Sequence, residues 1–532
     1  MNEKSEQKRY EELSPFELKN KLIAMATTDD ERMMLNAGRG NPNWIAEAPR
    51  LAFFRLGFFA LSEAKRVLDM PGFGGSPSAK CMAERFETFL ADEKDNPGAE
   101  FLRDAFDYAS SQLNIDRNRL VFELVDGILG DHYPTPDRML SCCEKIVQAY
   151  LHLTMCQGKP PAGRFDLFAT EGGTAAMAYI FNSLMENKLL HKGDTIALGT
   201  PIFTPYLEIP KLNDFRFVEL DVEQDEDGRW QYPDAEIEKL ADPEVKAFFL
   251  VHPSNPTSVA MHQKTLDKLA DLVRTRRQDL ILLTDDVYGT FVDGFTSLMA
   301  ACPQNTILVY SFSKYFGATG WRLGVIGIHR ENVFDSRIAE LPARDRKQLN
   351  ARYESVVLEP EKMKLIDRMV ADSRAVALNH TAGLSTPQQV QMALFALSGL
   401  LDGKRDFAYN RLAQSIVRGR YEDLYRALGE QAPEDQHSTY YYTTIDIPEL
   451  ARTRYGDDFA DHLVKDYEPI DFVWRLAEEK SVVLLDGGGF DAPNMSVRVS
   501  LANLPDQSYP VIGKAISELL AKYHDRWAAK QG

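Results

Sequence analysis

The 532-residue sequence predicts an α/β protein whose large domain is built on a mainly parallel sheet. Short β-rich runs alternate with helical stretches from about Phe165 to Ile328. Most of these runs lead into loops of Gly, Pro, Ser, Asn or Asp, and in open α/β sheets ligands bind beyond the carboxyl ends of strands. Apolar residues make up 44 % and charged residues 26 % of the chain, near the averages for folded globular proteins, so several cores can form.

The first residues, Met1 to Arg9, lack the apolar core of a secretory signal, and no run is long enough to cross a bilayer, which predicts a cytoplasmic protein. Residues 51–61 (LAFFRLGFFAL) are too short to span and carry Arg55; they predict a packed helix or a subunit contact rather than a membrane surface. Strands are expected at 165–169, 195–198, 247–251, 280–283, 306–310 and 324–328. After Ile328 the sequence turns into a highly charged helical segment that reads as an insertion, then a long amphipathic stretch from Pro387 to about Leu428. Strand-like segments return between Ser438 and Leu501 and predict a smaller α+β domain, built from both termini. The expected partition is 1–132 (amino-terminal segment with an insertion), 133–330 (large domain), 331–385 (charged insertion and return) and 386–532 (carboxy-terminal small domain).

A net charge of −18 repels phosphate backbones and anionic lipid, so neither nucleic acid nor membrane is an expected partner and small-molecule chemistry is favoured. Five cysteines form neither an even disulfide framework nor a zinc spacing, and no metal is expected. Gly487–Gly489 reads as an ordinary loop.

The chemistry concentrates in Ser311-Phe-Ser313-Lys314-Tyr-Phe-Gly-Ala-Thr-Gly-Trp-Arg322, which follows an apolar run. An amine that forms an imine needs a rigid mount, and a phosphate beside it needs hydroxyls and a guanidinium. Those are the needs of pyridoxal phosphate (PLP). Upstream, Asp285-Asp286-Val-Tyr288 ends another strand-like run, where a carboxylate can pair with a protonated pyridine nitrogen and a tyrosine can reach the ring's phenolic oxygen. Asn255, in His252-Pro-Ser-Asn-Pro-Thr, reads by itself as a turn. Glu171-Gly172-Gly173-Thr174 joins a strand to a helix-forming run and offers backbone N–H groups to a phosphate, while the Walker and dinucleotide glycine patterns do not occur.

The order Gly-Gly-Thr, Asn-Pro, Asp-x-x-Tyr, Ser-x-Ser-Lys, Arg, each behind its own strand, resembles the aspartate aminotransferase family of PLP enzymes. The resemblance runs from about Gly38 to Leu501 and implies the PLP-dependent aminotransferase-like fold, fold type I. It implies that Lys314 is the Schiff-base lysine, that Asp285 partners the pyridine nitrogen, and that Asn255 and Tyr288 hold the ring oxygen. Gly172, Gly173, Thr174, Ser311, Ser313 and Arg322 would surround the phosphate, and Phe203 would stack on the ring in place of the more usual tryptophan. Tyr133, in His-Tyr-Pro-Thr-Pro, is similar to the tyrosine that reaches the phosphate of a neighbouring subunit. For substrate, Arg498 in Met-Ser-Val-Arg-Val-Ser resembles the arginine that grips the α-carboxylate, a bidentate task lysine cannot reproduce. Gly38 matches the amino-terminal substrate loop, Asn255 also borders the substrate, and Arg39 is the candidate for the distal carboxylate.

Two additions, between Gly40 and Tyr133 and after Ile328, together with the Lys314 block, resemble the aspartate 4-decarboxylase branch of that family. That resemblance implies conversion of L-aspartate to L-alanine and carbon dioxide, with transamination toward 2-oxo acids as a side activity; a plain aspartate aminotransferase is the alternative. It further implies a homodimer as the catalytic unit and a larger homo-oligomer, with the additions as contact surfaces. A DNA-binding regulator on this fold would need an added helix-turn-helix, for which the segment before Gly38 leaves no room.

Overall fold

The computed structural model describes residues 3–11, 13–27, 33–224, 229–374 and 383–531. Its centre is a seven-stranded sheet of β1 (Phe165–Thr170), β2 (Thr195–Thr200), β3 (Arg216–Asp221), β4 (Val245–Val251), β5 (Ile281–Asp285), β6 (Thr306–Ser311) and β7 (Gly324–His329), in the order β1-β7-β6-β5-β4-β2-β3. Only β7 runs antiparallel to its neighbours; every other pairing is parallel. Strands covered on both faces read as unbroken apolar runs, and β6 is buried at all six positions. β3 is the one strand of this sheet absent from the expected set. It lies at the edge, half exposed, and its sequence Arg-Phe-Val-Glu-Leu-Asp carries polar residues accordingly.

Helices cover the sheet. The ones that shape the site are α1 (Pro15–Ala26), α2 (Ala48–Val67), α3 (Gly173–Glu186), α4 (Thr204–Leu212), α5 (Thr386–Lys404) and α6 (Ala408–Leu428). Ser14 caps α1 by accepting from the Glu17 N–H, with Pro15 in the first turn. α2 contains the apolar 51–61 run, burying Ala52, Leu56, Phe59 and Ala60 while Phe54, Phe58 and Leu61 face outward. Together with Met82–Asp92, Pro97–Leu113 and Arg117–Leu129 it makes a helical layer against α5.

The stretch from Pro387 is two helices rather than one amphipathic unit. Asp406 and Phe407 adopt left-handed backbone (φ 55° and 53°) between them. α5 is buried nearly all round because it lies inside that helical layer, whereas α6 shows one buried face.

A second, three-stranded sheet orders β8 (Tyr442–Asp446), β10 (Ser496–Ser500) and β9 (Leu485–Asp486) with β10 in the middle. Leu35–Asn36 joins the small domain by pairing with Val482–Val483. The hydrophobic clusters partition the chain differently from the boundaries at 133 and 386. Leu18 to Ala37 packs with residues from Tyr421 onward, while Ala46 to Cys156 and most of α5 share the core of the large sheet. The addition after Gly40 is therefore part of the large body, and the small core begins inside α6. No helix among the described residues is long and apolar enough to cross a membrane. The five cysteines are free thiols.

Candidate active site

The carboxyl ends of β1, β4, β5 and β6 and the small domain enclose a cavity of about 190 Å³. Gly173, Thr174, Phe203, Asn255, Asp285, Tyr288, Ser311, Ser313, Lys314, Arg322 and Arg498 line it together, although they span more than 300 residues of sequence.

Lys314 stands in the turn after β6, and its Nζ donates to the carbonyl of Gly40 at 3.1 Å. Ser311 and Ser313 are buried beside it and their hydroxyls are 2.9 Å apart. Across the turn, Arg322 in left-handed conformation donates to the Glu171 carbonyl at 3.4 Å. It reaches over Gly172, where an added Cβ would come 2.3 Å from Nη2, and Gly172 itself has φ +93°. The positive φ favours glycine there, and a side chain would also have to displace the end of Arg322. Gly172 precedes α3 without any side-chain cap, so the first N–H groups of α3 point at the space that the two serines and Arg322 border. This arrangement could hold a phosphate, and Gly172 belongs to it as the residue beside Arg322 rather than as a wall of the cavity.

The tandem acids Asp285 and Asp286 end β5 and split by strand alternation. Asp285 faces the cavity, accepting from the Tyr206 hydroxyl at 2.7 Å and from the Val287 N–H at 3.2 Å. Burial pushes its carboxyl up to about 6 against the opposing hydrogen bonds and the Lys314 charge. Asp286 points away, held by Thr284, and burial raises it to about 8. Only Asp285 is placed to meet a ring nitrogen. The Tyr206 phenol, raised by burial and by Asp285, keeps its proton and donates.

Arg498 is 1 % exposed. It donates to Asn255 Oδ1 at 3.1 Å and to the Gly38 carbonyl at 2.9 Å, its Nε has no partner, and no described carboxylate lies within salt-bridge distance. A buried guanidinium without an anion is costly, and burial depresses its affinity for a proton. The residues thus fit PLP and an amino acid: an unpaired buried carboxylate for the ring nitrogen, an uncapped helix start for the phosphate, an amine between them, and a buried cation for a carboxylate.

Besides Gly172, three assigned residues lie apart from the cavity wall. Arg39 is exposed at the mouth, and Tyr133 is 67 % exposed. Gly38 contributes its carbonyl to Arg498 rather than a surface to the cavity. Gly487–Gly489 is more than an ordinary loop: Gly489 O accepts from Thr204 Oγ1 at 2.7 Å, and the turn sets Phe490 against Arg498, centroid to guanidinium carbon 4.8 Å.

Sequence reasoning missed Phe16, Lys19, Tyr206 and Tyr442. Tyr206 was findable, lying in the first turn of α4, three residues after its N-cap Phe203, whose ring it meets at 5.2 Å. Phe16 contacts Phe203 at 5.6 Å, and Lys19 Nζ lies 5.5 Å from the Phe16 ring, so α1 closes the mouth of the cavity. Burial, then Arg39, then Arg498 lower the Lys19 ammonium below its ordinary value. Lys19 and Arg39 therefore add positive charge outside the buried Arg498 in a strongly acidic protein.

The model of the family "Aminotransferase class I and II" matches residues 167–516. A bifunctional aspartate aminotransferase and L-aspartate beta-decarboxylase of Pseudomonas sp is 49 % identical over 97 % of each chain. An aspartate aminotransferase of Pyrococcus horikoshii is 29 % identical over 28 % of this chain and 38 % of its own. Among solved structures, aspartate aminotransferase of Thermus thermophilus with maleate superposes with a TM-score of 0.58 at 16 % identity, covering 95 % of this chain and 96 % of that one, a likeness of fold. With the lysine, the acid and the arginine converging in one cavity of this fold, the chain belongs to the class I and II aminotransferases, a family of PLP-dependent enzymes.

Proposed function

We propose that this protein holds PLP on Lys314 and converts L-aspartate to L-alanine and carbon dioxide, transaminating aspartate as a side reaction. The observation that carries a dicarboxylic substrate is the cationic pair of ends: Arg498 buried without an anion inside, Lys19 and Arg39 at the mouth. Decarboxylation over plain transamination is supported by the relative that matches along nearly the whole chain, additions included, and carries both activities in its name. The plain aspartate aminotransferase match spans less than a third of the chain.

PLP, when bound, supplies an electron sink for the charge left as the Cα proton or the β-carboxylate departs. Asp285, kept anionic by Tyr206 and the Val287 N–H, holds a proton on the ring nitrogen; Asn255 and Tyr288 bind the ring oxygen. Arg498 grips the α-carboxylate and orients Cα toward Lys314, whose amine takes and returns protons at Cα. Phe16, Phe203 and Phe490 keep water out. A bidentate clamp on the β-carboxylate would stabilise a charge that must vanish into carbon dioxide and would raise the barrier. Lys19, lowered by its surroundings, and exposed Arg39 hold that group loosely instead.

The catalytic unit in this reading is a homodimer, in which outward-facing Tyr133 reaches the phosphate of the neighbouring subunit and Phe54, Phe58 and Leu61 of α2 offer an apolar contact. A larger homo-oligomer and a cytoplasmic location complete it. Product analysis of the PLP-loaded protein with L-aspartate is the test. Alanine and carbon dioxide as main products, with slow amination of the cofactor that added pyruvate reverses, are expected, and Arg39→Ala should change that partition more than cofactor binding. Stoichiometric oxaloacetate with no alanine or carbon dioxide, in the presence of an amino acceptor, would establish a plain aminotransferase.

A further inference from the structure

Tyr442 is a buried phenol of the cavity that the assignments above leave without a task. It opens β8, is 3 % exposed, and its N–H is tied to Ser258 Oγ at 2.9 Å. Its ring lies under the Arg498 guanidinium, centroid to carbon 4.3 Å. Its hydroxyl lies 2.9 Å from that of Tyr288. Gly40 makes room for this arrangement: a Cβ there would come 2.5 Å from Tyr442 Oη and 3.1 Å from Lys314 Nζ. One side chain thus touches the residue assigned to the cofactor's ring oxygen, the residue assigned to the substrate's α-carboxylate, and the backbone that receives the lysine.

The direction of the hydroxyl contact follows from proton counting. Each phenol has one proton to donate. Tyr288 is held protonated by burial and by Tyr442, and when it donates to the ring oxygen its own oxygen is left to accept from Tyr442. A hydroxyl polarised in this way is a stronger donor. The contact with Arg498 is different in kind, since a guanidinium over an aromatic face is oriented by the ring's quadrupole and needs no hydroxyl.

We propose that Tyr442 is a positioning residue with two separable outputs. Its hydroxyl sets how strongly Tyr288 holds the cofactor's ring oxygen, and its ring face sets the orientation of Arg498 toward the α-carboxylate. This rests on the reading of the cavity as a PLP and aspartate site. The titratable groups that face Tyr442 are Tyr288, Tyr441 just before its strand, Arg498 of β10 and, across Gly40, Lys314.

The test compares Tyr442→Phe and Tyr442→Leu with wild type, each loaded with PLP. Two quantities are read: the pH midpoint of the bound cofactor's absorption change, and the dissociation constant of maleate, a dicarboxylate that does not react. Tyr442→Phe weakens the donor to a negative ring oxygen, so its midpoint should rise by about 0.5 pH unit, with maleate binding within about twofold because the ring face remains. Tyr442→Leu should show the same rise and lose about fivefold to tenfold in maleate affinity. If the leucine variant does not fold, Tyr442→Met fills the space without an aromatic face and serves for the second measurement. An unmoved midpoint in Tyr442→Phe, or full maleate affinity in the variant without a ring, overturns the proposal. So does an equal disturbance of both quantities in both variants. A wild-type protein that shows no cofactor absorption band overturns the cofactor reading itself and this inference with it.

Discussion

Asp372 and Asp285 are both buried carboxylates of the large domain, yet their surroundings differ. Asp372 receives Ser183 Oγ at 2.7 Å, Tyr353 Oη at 3.0 Å, Asn187 Nδ2 at 3.2 Å and Arg352 Nε at 3.0 Å. Nearby Arg368 gives its guanidinium to the carbonyls of Met363 and Pro360, each at 2.9 Å, and to Asn187 Oδ1 at 3.2 Å. This network is closed: its polarity is used up in fastening α3 to the helices Ala343–Tyr353 and Leu365–Ser373. Asp285 has two neutral donors and Arg498 two neutral acceptors, and neither has a described salt bridge. The difference teaches how to tell structure from function among buried charges. A saturated group stabilises the fold, whereas an unsaturated one facing a cavity is held ready for a ligand that supplies the missing charge.

Substitutions on the two sides of this contrast should behave oppositely. Lys314→Ala stands outside both charge sets and should have the largest effect: loss of the cofactor's absorption band in the visible or near-ultraviolet and a fall in turnover of at least ~10³-fold. Retention of band and turnover would remove Lys314 from its role. Arg498→Ala should weaken aspartate binding and catalysis by about 2–5 kcal/mol while cofactor binding and unfolding stability change little. Loss of PLP with normal aspartate binding would break the contrast from the open side.

Asp372→Ala should do the reverse, lowering stability to urea by about 3 kcal/mol while the folded fraction keeps its affinity for aspartate. A variant as stable as wild type would show that closure of the network is not what fastens α3. The smallest effect is a pH dependence at Asp285. A carboxyl raised from the ordinary 3.8 to about 6 destabilises the folded chain as pH climbs through that window. Cofactor-free Asp285→Asn should therefore match wild type below pH 3.8 and exceed its stability above about 6, by denaturant titration. With PLP bound the order should invert, because the cofactor's ring nitrogen supplies the cation that only the carboxylate can use. A stability difference that ignores pH would mean Asp285 does not carry its charge into the apo fold.

Most of the large sheet was legible because its strands are buried on both faces, so their composition records their position. β3 was not, since an edge strand keeps polar residues and lacks that signature. In the site, the residues behind strand ends stood out for the same reason: a short apolar run followed by Lys314 or Asp285 is a local pattern. Phe16 and Lys19 had no such mark. They lie on an unremarkable helix nearly 480 residues from Arg498, and only folding lays that helix over the cavity. Tyr442 sits in a run of three tyrosines, and its neighbours in sequence do not say which one reaches the cavity.

By itself, then, the sequence determined the α/β class and marked Lys314 and the strand-ending acid pair, because each rests on a pattern within a dozen residues; Arg498 entered only through the resemblance to a family. The tertiary structure turns Asp285 to the cavity and Asp286 away from it, since strand alternation assigns the two opposite faces. It alone decided that the addition after Gly40 packs with the large core, and that α1 lids the site. Those are outcomes of which surfaces meet across hundreds of residues, and burial of apolar faces, which sets them, acts between segments that carry no record of one another.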